Sequence, residues 1–362
     1  MKIEVDIRKY GKIGVLLSVI AAVWLLAGCS DDVSQQDDLE DLHIDLQAVT
    51  RAGGESDAED LDTKMADIYV FLSADDEYAP GGKYTTEGTF KHYETTSDDK
   101  TIHSWSAEGL KAKPGSRQFS LYGYMPANAN LGGTMDVPNN RLTLTNIQPM
   151  TDKDLCVVTG VLKSNTIATP LRGNFRFDYI NSDYNVPTVL NLMLEHLLGR
   201  FEFMFKIGSK YSGLRDIVVT SLTITTETDE TITVTVDLPD SPSEEDKVEV
   251  TYTTSGSVKE WSYPLLKVGE TEIKLDTDGK KIGSDINVAV GTGMSGSYKL
   301  VSTYKVYDKK GNMLSERTAS NRLSAVLPAM GQKKVIVLTV EPTYLNQLSY
   351  YDLDNPTIVI SE

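Results

Sequence analysis

Apolar and polar residues alternate over long stretches of this chain, and a period of two is the spacing of β-strands. The clearest stretches run from Phe201 to Ile207 and from Ile232 to Leu238. Successive side chains of a strand point to opposite faces, so each stretch predicts a strand with one buried face. Stretches with the spacing of an amphipathic helix are scarce. The pattern therefore predicts an all-β protein.

Shorter stretches supply further strand candidates: Ile68–Leu72, Phe119–Tyr124, Leu142–Leu144, Leu155–Leu162, Phe175–Phe177, Val248–Tyr252, Ile273–Leu275, Tyr304–Tyr307 and Val335–Val340. The segment Leu190–Leu198 fits a strand or a helix, and the polar segment Tyr78–Lys100 is expected to form turns. Many short strands without covering helices predict two tandem β-sandwich domains. We place them at residues 52–187 and 188–342, followed by a separate terminal segment at 343–362.

The amino terminus has the parts of a bacterial lipoprotein signal peptide. A basic lead-in precedes an apolar stretch, residues 13–27, that is too short to cross a bilayer comfortably. The stretch ends in Leu26-Ala27-Gly28-Cys29, with small residues before a thiol. This predicts a signal peptide at 1–28 and acylation of Cys29. An ordinary secretory signal that happens to contain a cysteine is the alternative.

The net charge limits the partners. The chain of 362 residues carries a formal charge of −17, and an acidic tether directly follows Cys29. Such an excess of acid argues against nucleic acid and against attraction to anionic membranes. The tether resembles the acidic signal that directs some lipoproteins of Bacteroidales to the outer face of the outer membrane. With Cys29 acylated, Cys156 has no partner in the chain and is expected to be a buried small residue.

Motifs for catalysis, metals and cofactors are missing from the sequence. The four histidines, His43, His92, His103 and His196, are too scattered for a metal-ligand motif. No nucleophile elbow occurs, and the glycine-rich run 291–296 lacks the ending of a phosphate-binding loop. We therefore expect no catalytic residues, no metal, no cofactor and no enzyme. Acidic pairs in turn-like sequence indicate solvated loops, with weak calcium binding as an alternative: Asp75-Asp76, Asp98-Asp99 and Glu244-Glu245-Asp246.

Two terminal segments carry more information. Near the amino terminus, alternating apolar residues predict a strand: Leu42, Ile44, Leu46 and Ala48. Arg51 and Ala52 follow in a glycine-flanked polar stretch that an arginine-specific protease can reach. A chance arginine in a linker is the alternative. At the carboxyl terminus, Ile358 and Ile360 share one face of a strand, and it can pair with its own sheet or a neighbour's.

The order of these motifs resembles the fimbrillins of Bacteroidales, the type V pilins. The resemblance rests on short motifs spread along the chain: the lipobox at Cys29, Val49-Thr50-Arg51-Ala52, Leu194–Arg200, Pro342–Leu345 and Asp352–Thr357. It implies transthyretin-like or Greek-key sandwiches, export as an outer membrane lipoprotein, and removal of residues 29–51 by cleavage between Arg51 and Ala52. The opened groove would accept a donor strand from another subunit, and that strand would contain Thr357, Ile358, Val359 and Ile360.

The implied function is a structural subunit of a surface fimbrium that supports adhesion. Its partners would be other pilin subunits, an arginine-specific protease, the outer membrane through the precursor's lipid, and a host or bacterial surface ligand. A tip adhesin or an anchor of the same family is a second interpretation. A surface glycan-binding lipoprotein is a third, with Trp105, Trp261 or Tyr122 as stacking platforms.

Overall fold

The protein is built almost entirely of strands. The computed structural model describes residues 39–50, 66–74, 83–97, 100–107, 109–127, 130–164, 171–179, 187–242, 248–267, 269, 272–294, 297–341 and 357–361. Within these ranges the helical elements are Ser209–Ser212 and a 3-10 turn at Val137–Asn139. The prediction of an all-β protein is confirmed.

The strands, numbered in chain order, are β1 Glu40–Asp41, β2 Ile44–Thr50, β3 Ile68–Ala74, β4 Tyr84–Ser97, β5 Lys100–Ala107, β6 Lys111–Ala112, β7 Gln118–Met125, β8 Gly132–Asp136, β9 Arg141–Thr145, β10 Met150–Thr151, β11 Cys156–Lys163, β12 Arg176–Asp178, β13 Thr188–His196, β14 Gly199–Ile207, β15 Asp216–Asp237, β16 Glu249–Leu266, β17 Ile273–Lys274, β18 Lys280–Lys281, β19 Ile286–Val288, β20 Lys299–Tyr307, β21 Met313–Arg322, β22 Lys333–Glu341 and β23 Thr357–Ser361.

Seven strands of the first half close into a ring, which we call the barrel. Hydrogen bonds link them in the order β11-β13-β2-β5-β4-β3-β7, and β7 pairs with β11 to close the ring. Strand β12 pairs with β7 in addition. The apolar core inside includes Leu46, Val70, Phe90 and Trp105, all with no measurable exposure. Closure removes the unpaired edges that an open sheet would present to water.

The second half is a sandwich of two sheets. One sheet has the order β10-β19-β14-β22-β23, with β18 beside β14. The other has the order β21-β20-β15-β9-β8, with β16 and β17 beside β15. Alternate residues of β14, Phe201, Phe203 and Phe205, lie in the apolar core between the sheets together with Leu300 and Leu338. The alternation that predicted these strands is the alternation between this core and solvent.

Strand β15 joins the two halves of the molecule. Its first part pairs with β20, and its last part, Val234–Asp237, pairs with β9 from the first half. Around this end a third apolar core packs Leu144 and Val234 against Tyr122 and Val157 of the barrel strands. A short ladder between β10 and β19 makes a second connection.

The domain division after residue 187 stays a prediction, and several pairings cross it. Strand β13 begins at Thr188, yet it pairs with β11 and β2 in the barrel. The ladders β9–β15 and β10–β19 also join residues from both sides of that position. Strands β8, β9 and β10 precede residue 187 and belong to the sandwich sheets, whereas β13 follows it and belongs to the barrel.

The structure tests the local predictions for two segments. The ambiguous segment Leu190–Leu198 lies in strand β13 as far as His196, so its strand alternative is correct. The turns expected over Tyr78–Lys100 are wrong, because Tyr84–Ser97 forms a 14-residue strand. That strand pairs with β3 and β5 along its two edges. Phe90 is its one buried residue among the described side chains, so its sequence carries little apolar alternation.

No helix in the described part of the chain has the length and the apolar character needed to span a bilayer.

Replacing Phe203 by alanine is expected to lower the free energy of unfolding by about 3–5 kcal/mol, because the residue is 1% exposed and a cavity would remain. Chemical denaturation measures this change. The matched control is Val258→Ala, since Val258 is 72% exposed and should change stability by less than about 0.5 kcal/mol. Equal losses in the two variants would contradict the placement of the core.

Candidate functional site

Strand β2 contains Ile44, Leu46 and Ala48, three of the four apolar residues of the strand that the sequence predicts to be removable. The strand begins at Ile44, two residues after Leu42. Leu42 precedes it and is held by its own N–H, which donates to the carbonyl oxygen of Leu110 at 2.8 Å. Leu42 is 5% exposed, Ile44 2% and Leu46 0%. The predicted apolar row is therefore a buried row in the barrel core.

Both edges of β2 are hydrogen-bonded. It runs parallel to β13, with Ile44 opposite Thr188 and Thr50 opposite Leu194. On its other side it runs antiparallel to β5, with Leu46 opposite Trp105. Taking β2 away would leave two rows of unpaired N–H and C=O groups on the facing edges of β13 and β5. Such groups are costly where the cleft keeps water away, and they are a template for pairing with another strand.

The walls beside β2 are apolar and firmly held. Leu190 of β13 lies opposite Leu46, and both side chains have no measurable exposure. Trp105 of β5 is also fully buried, and its Nε1–H donates to the carbonyl oxygen of Ala66 at 2.8 Å. Removal of β2 would expose these side chains along a cleft one strand wide. The cleft would select an extended segment with apolar residues at alternate positions.

Strand β23 contains the segment predicted to be the donor strand. It pairs antiparallel with β22, from Glu341 opposite Thr357 to Val337 opposite Ser361, at the edge of a sandwich sheet. Ile358 and Ile360 are half-buried against the sandwich core. The Nδ2 of Asn321 donates to the carbonyl oxygen of Ile358 at 3.3 Å. In this chain the segment therefore pairs with its own sheet and not with the barrel.

Several predicted positions lie outside the described residues. These are Cys29, Arg51 and Ala52, together with residues 343–356. The side chains of Ala48, Thr357 and Val359 are also outside the description, although their backbones are placed in strands. The acidic pairs considered for calcium fall in the same category: Asp75-Asp76, Asp98-Asp99 and Glu244-Glu245-Asp246.

The prediction of sugar-stacking platforms is wrong for Trp105 and Tyr122. Trp105 is 0% and Tyr122 4% exposed, so neither ring can stack on a sugar. Trp261 is partly buried against the sandwich core, and Nζ of Lys259 lies 4.2 Å from the centre of its ring. Lys259 therefore lies over one face of the ring, and the use of Trp261 as a stacking platform stays a prediction.

A buried polar cluster lies where the barrel meets the sandwich. Oδ2 of Asp154 is 2.8 Å from Nδ1 of His196 and 2.8 Å from Nη2 of Arg200. Arg200 also donates from Nε to Oδ1 of Asn287 at 3.1 Å. Cys156 Sγ is 3.4 Å from Nδ1 of His196, and burial raises the pKa of its thiol well above the usual value. The prediction that Cys156 is a buried small residue is confirmed, and Arg200 balances the carboxylate charge.

A second cluster contradicts the expectation that the histidines are scattered. Nε2 of His92 lies 3.0 Å from Nδ1 of His103, and the two rings stack with their centres 5.2 Å apart. Glu94 completes the group, with Oε1 3.7 Å from Nδ1 of His103. Burial, and then the neighbouring His103, lower the pKa of His92. The sequence gives no sign of this group when the segment that contains His92 is interpreted as turns.

Comparison with solved structures finds low sequence identity over most of the chain. The protein is similar to a fimbrial protein from Bacteroides vulgatus, with 12% identity over 89% of this chain and 98% of that chain and a TM-score of 0.40. It is also similar to the fimbrial anchor protein Mfa2 from Porphyromonas gingivalis, with 10% identity over 88% of this chain and 94% of that chain and a TM-score of 0.28. With TM-scores this low, the likenesses carry no functional argument. No family model and no curated protein matches the sequence.

The two terminal strands should differ in what they contribute to stability. A chain that ends at Glu341 loses one edge strand with two half-buried isoleucines, and we expect it to remain folded. A chain that starts at Ala52 loses Leu42, Ile44 and Leu46, whose burial is worth about 1.5–3 kcal/mol each, and it also opens the ring. Urea denaturation and binding of an apolar dye measure the difference. Equal stability of the two truncated chains would contradict the central position of β2.

Proposed function

We propose that this protein is a structural pilin subunit that assembles by exchange of a strand. It is exported as a lipoprotein acylated at Cys29, and an arginine-specific protease then cleaves after Arg51 and releases β2. The C-terminal strand of another subunit fills the opened groove. The observation that carries the proposal is the position of β2, a terminal strand paired on both edges within a closed ring.

The exchange has a driving force once β2 is absent. The donor segment has isoleucines at 358 and 360, which match the spacing of Ile44 and Leu46. On its own sheet β23 is paired on one edge through β22, and both isoleucines are half-buried. In a groove like that of β2 it would pair on both edges and bury these side chains fully. The additional burial is worth on the order of 1 kcal/mol for each side chain, and the second ladder adds to it.

Repetition of this contact produces a filament. Donor and groove are different surfaces of the same chain, so the contact is heterologous, and without ring closure it continues indefinitely. Strand β2 blocks the groove of the precursor and prevents assembly before cleavage. The precursor would be an outer membrane lipoprotein, and the assembled subunit would belong to a cell surface fimbrium that supports adhesion to a host or bacterial surface.

A terminal subunit of the same kind of filament is the second candidate. The observation that favours it is the position of β23 on its own sheet. A subunit whose β23 stays on its own sheet accepts a donor strand in its groove but provides none to another subunit. A subunit that keeps β2 provides a donor strand but has no open groove to accept one. Either behaviour ends a filament, as expected for a tip adhesin or an anchor.

Replacing Arg51 by alanine should block cleavage and prevent polymerisation, because β2 then remains in the groove. Mass spectrometry of the protein on cells identifies its amino terminus, and gel electrophoresis of unboiled samples detects polymers. The wild-type chain should begin at Ala52, and the variant should retain an acylated Cys29. Arg141→Ala is the control, since Arg141 is a surface arginine on β9 paired with Asp237. Polymers formed by the Arg51 variant would refute the role of β2 as the blocking strand.

A mixture of two defective variants tests the donor and the groove separately. Arg51→Ala keeps an intact donor strand and a blocked groove, whereas the double variant Ile358→Asp, Ile360→Asp keeps a groove and loses the apolar donor face. Each variant alone should remain monomeric after protease treatment, and the mixture should give heterodimers and no longer species. Met313→Asp, on the exposed part of β21, is the control and should still polymerise. Long polymers from the isoleucine variant would show that β23 is not the donor.

A further inference from the structure

The cluster of His92, Glu94 and His103 is assembled by two neighbouring strands. His92 and Glu94 are two residues apart on β4, so their side chains leave the same face of the strand. His103 of β5 lies directly opposite Glu94, and Trp105 lies opposite His92. Two alternate positions on one strand and a facing position on the next therefore bring three potential ligands to one face of the sheet.

The separations of the ligand atoms suit one small cation. One potential ligand atom from each of His92, Glu94 and His103 lies within 4.8 Å of the other two. Nε2 of His92 and Nδ1 of His103 are 3.0 Å apart, and a tetrahedral zinc ion with bonds of about 2.0–2.1 Å would place them roughly 3.3 Å apart. To bind the ion, the histidines need to separate by a few tenths of an ångström and to turn so that the lone pairs of both nitrogens point to it.

The surroundings hold the histidines in place. The ring of His92 lies 5.3 Å from that of Trp105, which is fully buried. The backbone N–H of His92 donates to Oδ1 of Asp67 at 3.0 Å, and that carboxylate also accepts from Nζ of Lys91 at 2.6 Å. The His103 side chain is 8% exposed, whereas that of Glu94 is 55% exposed. The site thus has two ordered imidazoles on its inner side and an accessible carboxylate through which an ion can enter.

We propose that His92, Glu94 and His103 form a binding site for a divalent transition metal ion, Zn²⁺. Two imidazoles and one carboxylate are a donor set that zinc accepts, and a water molecule takes the fourth position. Magnesium and calcium prefer oxygen ligands and are disfavoured by two nitrogens. The bound ion would tie β4 to β5, and β5 is one of the two walls that flank β2.

The other group with three potential ligands is a weaker candidate. Asp154, Cys156 and His196 also lie within ligand distance of one another. Arg200 already contacts the carboxylate of Asp154 at 2.8 Å, and a cation placed there would meet the guanidinium charge at close range. Within the described residues, the site on β4 and β5 has the more favourable electrostatics for a cation.

Calorimetric titration of the full, metal-free chain with ZnCl₂ tests the proposal. We expect one ion per chain, and an affinity at least about 10-fold lower in His92→Gln and in Glu94→Gln. Glu94 is exposed, so its substitution leaves the fold intact and reports on the metal alone. His43→Gln is the matched control, because His43 lies on the surface outside the cluster, and its affinity should equal that of the wild type. Absence of zinc binding, or unchanged affinity in both ligand variants, would overturn the proposal.

Cobalt substitution distinguishes the two clusters. Co²⁺ bound to imidazoles and a carboxylate should give visible absorption bands without the near-ultraviolet band of a thiolate ligand. Cys156→Ser should leave the spectrum and the zinc affinity unchanged. A thiolate band that disappears in Cys156→Ser would place the ion at Asp154, Cys156 and His196 and refute the assignment to β4 and β5.

Discussion

Closure of the barrel by β2 is the constraint on which the first half of the molecule depends. The other six strands of the ring come from Ile68 onward in the chain. Strand β2 precedes them, near the beginning of the described residues, and lies between β13 and β5. Its pairing with β13 is parallel, so it cannot be the product of a local hairpin. Strand β2 thus combines pairing on both edges with a place directly before Arg51, where the proposed cleavage would detach it. The proposed assembly mechanism requires this combination.

Local sequence patterns predict strands well here and predict their partners poorly. Alternation identified β2, β14 and β22 because each has one face in a core. It could not place β2 between β13 and β5, since a period of two specifies which face is buried and not which strand lies alongside. The same limit applies to the domain division after residue 187, which stays a prediction. Thr188 follows a proline and begins an apolar strand, yet that strand pairs with the barrel through residues far away in sequence.

The histidine cluster was missed for a related reason. Its ligands come from β4, a strand whose composition is polar, and from the facing positions of β5. Spacing in sequence is informative for metal sites within one loop or one helix turn, but a cross-strand site depends on register, which only the fold provides. A usable signal was present in the His-x-Glu spacing of residues 92–94, which places both side chains on one face if the segment is a strand. Recognition of β4 was the missing step.

The long strand β15 has a mechanical consequence. Because its two ends pair with strands from different halves of the chain, the two halves are not independent domains joined by a flexible linker. A pulling force that separates the strands of the first half of the chain from those of the second must break the ladder of β15 with β9 and the ladder of β10 with β19, and it must also pull apart the apolar contacts around Val234. Tension along the chain is therefore carried by hydrogen bonds and packed side chains, and the molecule should extend little before it yields.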